Sequence, residues 1–157
     1  MMRLFLVRHA DASFTSSDDY NRPLSELGKK QAQLSAAYIQ QNTQSERSLI
    51  VASSALRTCQ TAQIISDHQP SADLYQDRAF YEARVGQWCD VIIEKSDASN
   101  LILVGHNPTM GFLAKHLNTS QQVAFSPACV AQYHLEIAAD GLKLPAQYID
   151  FYIPHAN

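Results

Sequence analysis

Three apolar runs of four residues constrain this chain more than any other feature: Leu4 to Val7, Leu49 to Ala52 and Leu101 to Val104. Each is too short for a helix and lacks flanking helical period, so each fits a strand buried on both faces. Segments of helical period lie between them. Strands alternating with helices argue for a mostly parallel sheet covered on both sides, an α/β chain folded as a three-layer α/β/α sandwich. No glycine-rich fingerprint follows the first run, which excludes a dinucleotide-binding fold of the usual kind.

Along the chain, Ala12 to Tyr20 is rich in Ser, Thr and Asp and reads as a loop. Ser25 is placed to cap a helix running from Leu24 to about Gln41, with Leu27, Leu34, Ala37, Tyr38 and Ile39 on its period. Gly28 in its first turn costs about 1 kcal/mol relative to Ala, which suggests a close approach by another segment. Asn42 to Arg47 turns the chain. Ser53-Ser54 is expected to cap a second helix through Ala55, Leu56, Cys59, Ala62, Ile64 and Ile65, with Arg57 in its first turn. Leu74 to Phe80 reads as extended. A third helix is expected from about Ala83 to Lys95, facing inward with Val85, Trp88, Cys89, Ile92 and Ile93. Asn107 as N-cap and Pro108 at the first position open a fourth helix ending near Asn118. Val123 to Ala128 and Val130 to Ile137 look extended, Asp140-Gly141 marks a hairpin turn, and Tyr148 to Ile153 suits a last strand. The C-terminal hairpin is expected to add an antiparallel edge to the sheet.

The chemistry is concentrated where the apolar runs stop. Arg8-His9 follows the first, Ser53 to Arg57 the second, and Gly105-His106 the third. Ligands of open α/β sheets bind outside the carboxyl ends of the strands, so parallel neighbours would bring these groups to one rim. Arginine presents a permanently charged fork that matches phosphate oxygens, and a neutral imidazole keeps one nitrogen lone pair free for attack on phosphorus. Two arginines and two histidines therefore suit covalent phosphoryl transfer.

Composition narrows the remaining classes. The 157 residues suit one domain, and the formal charge of −3 argues against nucleic-acid binding. There is no basic run for a membrane surface. The first apolar run is broken by Arg8, too early for a signal peptide or a membrane span. Cys59, Cys89 and Cys129 are odd in number and form no CxxC pair, as expected of reduced thiols in a cytoplasmic protein. The histidines lack ligand spacing, so neither a metal nor another cofactor is expected.

Taken in order, Leu6-Val7-Arg8-His9-Ala10, Arg22-Pro23-Leu24-Ser25 with Gly28, Ser53 to Ala62, Tyr81-Glu82-Ala83 and Val104-Gly105-His106-Asn107-Pro108 resemble the histidine phosphatase superfamily. This is the phosphoglycerate mutase-like or RHG family, and the likeness is strongest to its small SixA-type phosphohistidine phosphatases. It extends over nearly the whole chain and implies one histidine phosphatase domain over 1–157. It implies that His9 is the nucleophile, that Arg8, Arg57 and His106 line the phosphate pocket, and that Arg22 reaches substrate. Glu82 falls where larger members carry an acidic proton donor; it is either that donor or a cap of the following helix. Ala10 stands where the family usually has glycine, so the turn after His9 should avoid positive φ. The chain lacks the long insertions that roof larger members. An open site follows, suited to a phosphorylated protein, such as the phosphohistidine of a phosphotransfer domain, acted on by a monomer. A small phosphate ester is the alternative substrate, and a non-catalytic module binding phosphorylated partners is the alternative role.

Overall fold

A computed structural model describes residues 1–156. The three apolar runs form the centre of a six-stranded sheet. The elements follow as β1 (Met2–Arg8), α1 (Glu26–Asn42), β2 (Ser48–Ser53), α2 (Leu56–Asp67), β3 (Ala72–Asp77), α3 (Val85–Glu94), β4 (Asn100–Gly105), α4 (Thr109–Leu117), β5 (Val130–Leu135), β6 (Ile137–Ala138), β7 (Gly141–Leu142) and β8 (Gln147–Tyr152). The sheet order is β3-β2-β4-β1-β5-β8. The first four of these strands run parallel, while β5 is antiparallel to β1 and β8 to β5.

Burial on both faces explains the unbroken apolar runs. Leu4, Leu6, Leu101 and Leu103 pack towards Trp88, Ile92, Met110 and Leu113 of α3 and α4. Their alternates Phe5, Val7, Ile102 and Val104, with Ile50 and Ala52, pack towards Ala36, Ile39, Ala62 and Ile65 of α1 and α2. The result is the expected three-layer sandwich with an antiparallel edge. That edge is built by β5 and β8; the Asp140-Gly141 turn closes the separate two-stranded β6–β7 sheet instead.

Register positions the site. Arg8 pairs with Gly105, and Ala52 pairs with Val104. The strands β1, β4 and β2 therefore stop level with one another, and His9, His106 and Ser53 lie just at or past the same line.

Several local expectations need correction. Helix α1 keeps its period but buries Gly28, Ala32, Ser35, Ala36 and Ile39, while Leu27 and Leu34 are exposed. Small side chains let the helix approach closely: a Cβ on Gly28 would lie 2.0 Å from the Asp11 carbonyl oxygen. Helix α3 buries Val91 with Trp88 and Ile92, leaving Ile93 exposed. Val123 to Ala128 forms a loop, not a strand, and Ala128 adopts φ 63°. Ala10 is not among the residues with positive φ, as its side chain requires. The caps of α2 and α4 also differ. Ala55 and Pro108 occupy those positions without side-chain hydrogen bonds. Ser25 does cap α1, accepting from the Gly28 N–H at 3.0 Å.

Candidate active site

An open cleft of about 470 Å³ lies at the carboxyl rim of the parallel strands. Arg8, His9, Arg22, Arg57, Glu82 and His106 all line it. The innermost group is a trio. The His9 and His106 ring centroids are 5.3 Å apart. Between them reaches the Arg57 guanidinium, almost fully buried, with Nε donating to His9 Nε2 at 3.4 Å and Nη2 lying 3.4 Å from His106 Nδ1.

Each imidazole is oriented by its second nitrogen. His9 Nδ1 lies 2.7 Å from the Ala10 carbonyl oxygen, which can only accept, so Nδ1 carries the hydrogen. Nε2 thereby keeps its lone pair, which accepts from Arg57 Nε. His106 Nε2 lies 2.9 Å from the Ser53 hydroxyl. With Arg57 donating towards Nδ1, the neutral tautomer that satisfies both contacts donates Nε2–H to Ser53. Burial keeps both rings neutral. It is the main cause that lowers His9 to about 3, aided by the neighbouring His106, Arg57 and Arg8 and opposed by the bond to Ala10. Burial and then Arg57 lower His106 to about 4.

Arg8 holds the Phe125 carbonyl through Nη1 at 3.0 Å, and its buried Nε has no partner among the described residues. The Asn107 amide donates to the same carbonyl at 2.9 Å, which is why it does not cap α4. Arg22 stands further out. It donates from Nε to Ser13 O at 3.1 Å and from Nη1 to Asp19 Oδ1 at 3.2 Å, with its guanidinium 3.9 Å from the Phe14 ring centre. Glu82 is exposed at the mouth. It does not cap α3, whose first free N–H, that of Arg84, is taken by Gln87 Oε1 at 2.9 Å.

Two contacts of the site escape sequence reasoning, that of Asp19 with Arg57 and that of Ser53 with His106. Asp19, in the polar loop, accepts from Arg57, Arg22 and Tyr81. The Tyr81 hydroxyl, foremost, and both arginines hold its carboxyl down at about 2. The Ser53 hydroxyl partners His106 and also accepts from the Ala55 N–H at 3.3 Å, but it does not cap the first turn of α2. Among the described residues, no group of three or more side chains could hold a metal, and no helix is long and apolar enough to cross a membrane.

This arrangement presents a lone pair beside fixed cationic donors, as phosphoryl transfer requires. The chain belongs to the histidine phosphatase superfamily (branch 1), whose family pattern matches residues 4–94. Comparison with curated proteins by sequence finds no match. Among solved structures, SixA from Agrobacterium tumefaciens is similar at TM-score 0.82 and 25% identity, covering 98% of this chain and 99% of that one. A protein histidine phosphatase SixA complexed with tungstate gives 0.81 at 20% identity, over 98% and 97%. A mycobacterial glucosyl-3-phosphoglycerate phosphatase gives 0.69 at 15% identity, over 95% and 97%. The phosphoglycerate mutase-like fold, in its small SixA-type form, is thus the architecture of this chain.

Proposed function

We propose that residues 1–157 act as one domain, a phosphatase that works through a phosphohistidine on His9 and removes phosphate from protein phosphohistidine. The observation that carries this reading is the placement of Arg57 within 3.4 Å of both His9 Nε2 and His106 Nδ1. In the first step, the Nε2 lone pair attacks phosphorus. A P–N bond forms to His9 as the bond to the leaving group breaks, and the leaving atom keeps the bonding electrons. Arg8 and Arg57 stabilise the charge on the equatorial oxygens, joined by His106 when the bound phosphoryl charge draws a proton onto its Nδ1, with Arg22 contacting substrate nearer the mouth. A protonated phosphoimidazole departs as a neutral ring and needs no acid. An ester needs a proton, and Glu82 at the mouth is the candidate donor. In the second step, water attacks phosphorus, the P–N bond to His9 breaks, and phosphate leaves.

An open cleft in a short chain favours a phosphorylated protein surface, in line with the protein histidine phosphatase among the similar structures. The similar mycobacterial enzyme named for glucosyl-3-phosphoglycerate keeps a small ester as the second reading. His9→Ala is expected to abolish turnover of an aryl phosphate and to leave no acid-labile phosphate on the protein. Retained turnover would end the proposal. Release rates from a phosphohistidine phosphotransfer domain and from a panel of phosphate esters decide the substrate, and faster release from the esters would favour the second reading.

A further inference from the structure

Asp19 has more polar contacts to the candidate site than any sequence motif announces. Its short turn, Asp19–Asn21, is held by Asp18, which accepts from Tyr20 N at 3.1 Å and from Asn21 Nδ2 at 2.6 Å. From this fixed base Asp19 meets Arg57 twice. Its carbonyl oxygen accepts from Nη1 at 2.7 Å, and Oδ2 accepts from Nη2 at 3.1 Å. The same Oδ2 accepts from the Tyr81 hydroxyl at 2.5 Å, and Oδ1 accepts from Arg22 Nη1 at 3.2 Å. Tyr81 is itself braced, edge-on to the Tyr20 ring at 4.9 Å and to the His106 ring at 5.6 Å.

The two sides of the Arg57 guanidinium therefore have separate occupants. The side formed by Nη1 and Nη2 is taken by Asp19. The side formed by Nε and Nη2 faces the two imidazoles. Nη2 carries two hydrogens and serves both sides. A phosphoryl group between His9 and His106 would meet only the inner side, so the carboxylate does not occupy the phosphoryl seat.

We infer that Asp19 is a positioning residue, gripping the outer side of Arg57 so that its inner side is fixed between His9 and His106. The inference rests on the phosphatase reading. An unrestrained arginine would have to be ordered at each turnover, whereas a gripped one is ordered before substrate arrives. The carboxylate also offsets the charge of Arg57 and Arg22 without entering the phosphoryl seat.

The test is a double-mutant cycle read by equilibrium binding of orthovanadate, measured calorimetrically on wild type, Asp19→Ala, Arg57→Ala and the double variant. Asp19→Ala is expected to weaken vanadate about tenfold, the worth of a charge-assisted hydrogen bond. In the Arg57→Ala background the same change should alter binding by no more than about twofold, because a residue acting through Arg57 has nothing left to act on. Tighter vanadate binding by Asp19→Ala would overturn the inference, since the carboxylate would then be a competitor of the anion. Equal weakening in both backgrounds would also overturn it. Should Asp19→Ala fail to fold, Asp19→Asn carries the same cycle at nearly unchanged side-chain volume. Wild type that fails to bind vanadate would remove the phosphatase reading with it; wild-type binding indifferent to Asp19 removes the inference alone.

Discussion

Helices α1 and α2 both follow a serine, and the two serines serve different ends. Ser25 caps α1 in the ordinary way, accepting from the Gly28 N–H and donating to Asp11 Oδ2 at 2.6 Å. Ser53 lies further ahead of α2; its hydroxyl meets His106 and the Ala55 N–H, and the cap position falls to Ala55. Helix α4 repeats the second pattern, with Asn107 donating to the Phe125 carbonyl and Pro108 at the cap position. A helix whose leading polar side chain is drawn to a tertiary partner loses the cap, as α2 and α4 do. Helix α1 also starts beside the cleft, yet Ser25 reaches both Asp11 and the Gly28 N–H and so keeps the cap. The difference is about 1 kcal/mol of helix stability per missing cap, accepted where a side chain has a second employment.

The comparison breaks most visibly at the first turn of α1. Gly28→Ala places a methyl 2.0 Å from the Asp11 carbonyl oxygen, a backbone atom that cannot swing aside. Asp11 also accepts from the Ser25 N–H at 3.0 Å, and its own N–H donates to Gln31 at 2.9 Å, so α1 and the segment just after His9 are locked together. The expected loss is about 3 kcal/mol of stability by urea denaturation, with activity falling too because Asp11 is two residues from His9. A loss below about 1 kcal/mol would mean that α1 shifts freely against that segment.

The serine pair sharpens the contrast. Ser53→Ala should lower turnover of an aryl phosphate roughly ten- to a hundredfold, because His106 loses the partner that orients its ring. Its urea midpoint should move little. Ser25→Ala should do the opposite, costing about 1 kcal/mol of stability with turnover close to wild type. If both variants lose stability alone, the two serines are equivalent caps and the distinction drawn between the helices is wrong.

How much of this could be read beforehand depends on which physical effect dominates at each place. A strand buried on both faces must be apolar throughout, so β1, β2 and β4 are legible as unbroken runs, and with them the sandwich. Groups at the ends of those strands, such as Arg8, His9 and His106, are legible because chain position and placement at the rim coincide. The buried face of α1 is not. Leu27 and Leu34 carry the apolar period, but close packing selects the small residues Gly28, Ala32, Ser35 and Ala36. Asp19 is invisible for another reason. Its partner Arg57 is 38 residues away, and the loop that carries it has no period from which to infer a neighbour. The side chains of Ser53 and Asn107 are misassigned because local capping preference is the only force a sequence displays, and tertiary partners override it.

The smallest expected effect concerns protons. Burial first, and then nearby His106 and Arg57 for His9 and Arg57 for His106, hold His9 at about 3 and His106 at about 4, against about 6.5 in the unfolded chain. As pH falls from 6.5, the unfolded chain takes up protons at these two positions and the folded chain does not. The unfolded state thus binds more protons, and stability falls with pH across the window from 6.5 down to about 4. Asp19 acts later: a carboxyl held at about 2 loses its contribution only below the ordinary 3.8. His134, also pushed down by burial, adds to the slope in every variant and cancels in a comparison. Melting temperature should therefore drop between pH 6.5 and pH 4.5, and His106→Asn, which removes one of the titrating rings, should show a shallower drop than wild type. Equal slopes would mean that His106 is solvated enough to charge in the folded state, and the site would then hold a cation where a neutral ring is described.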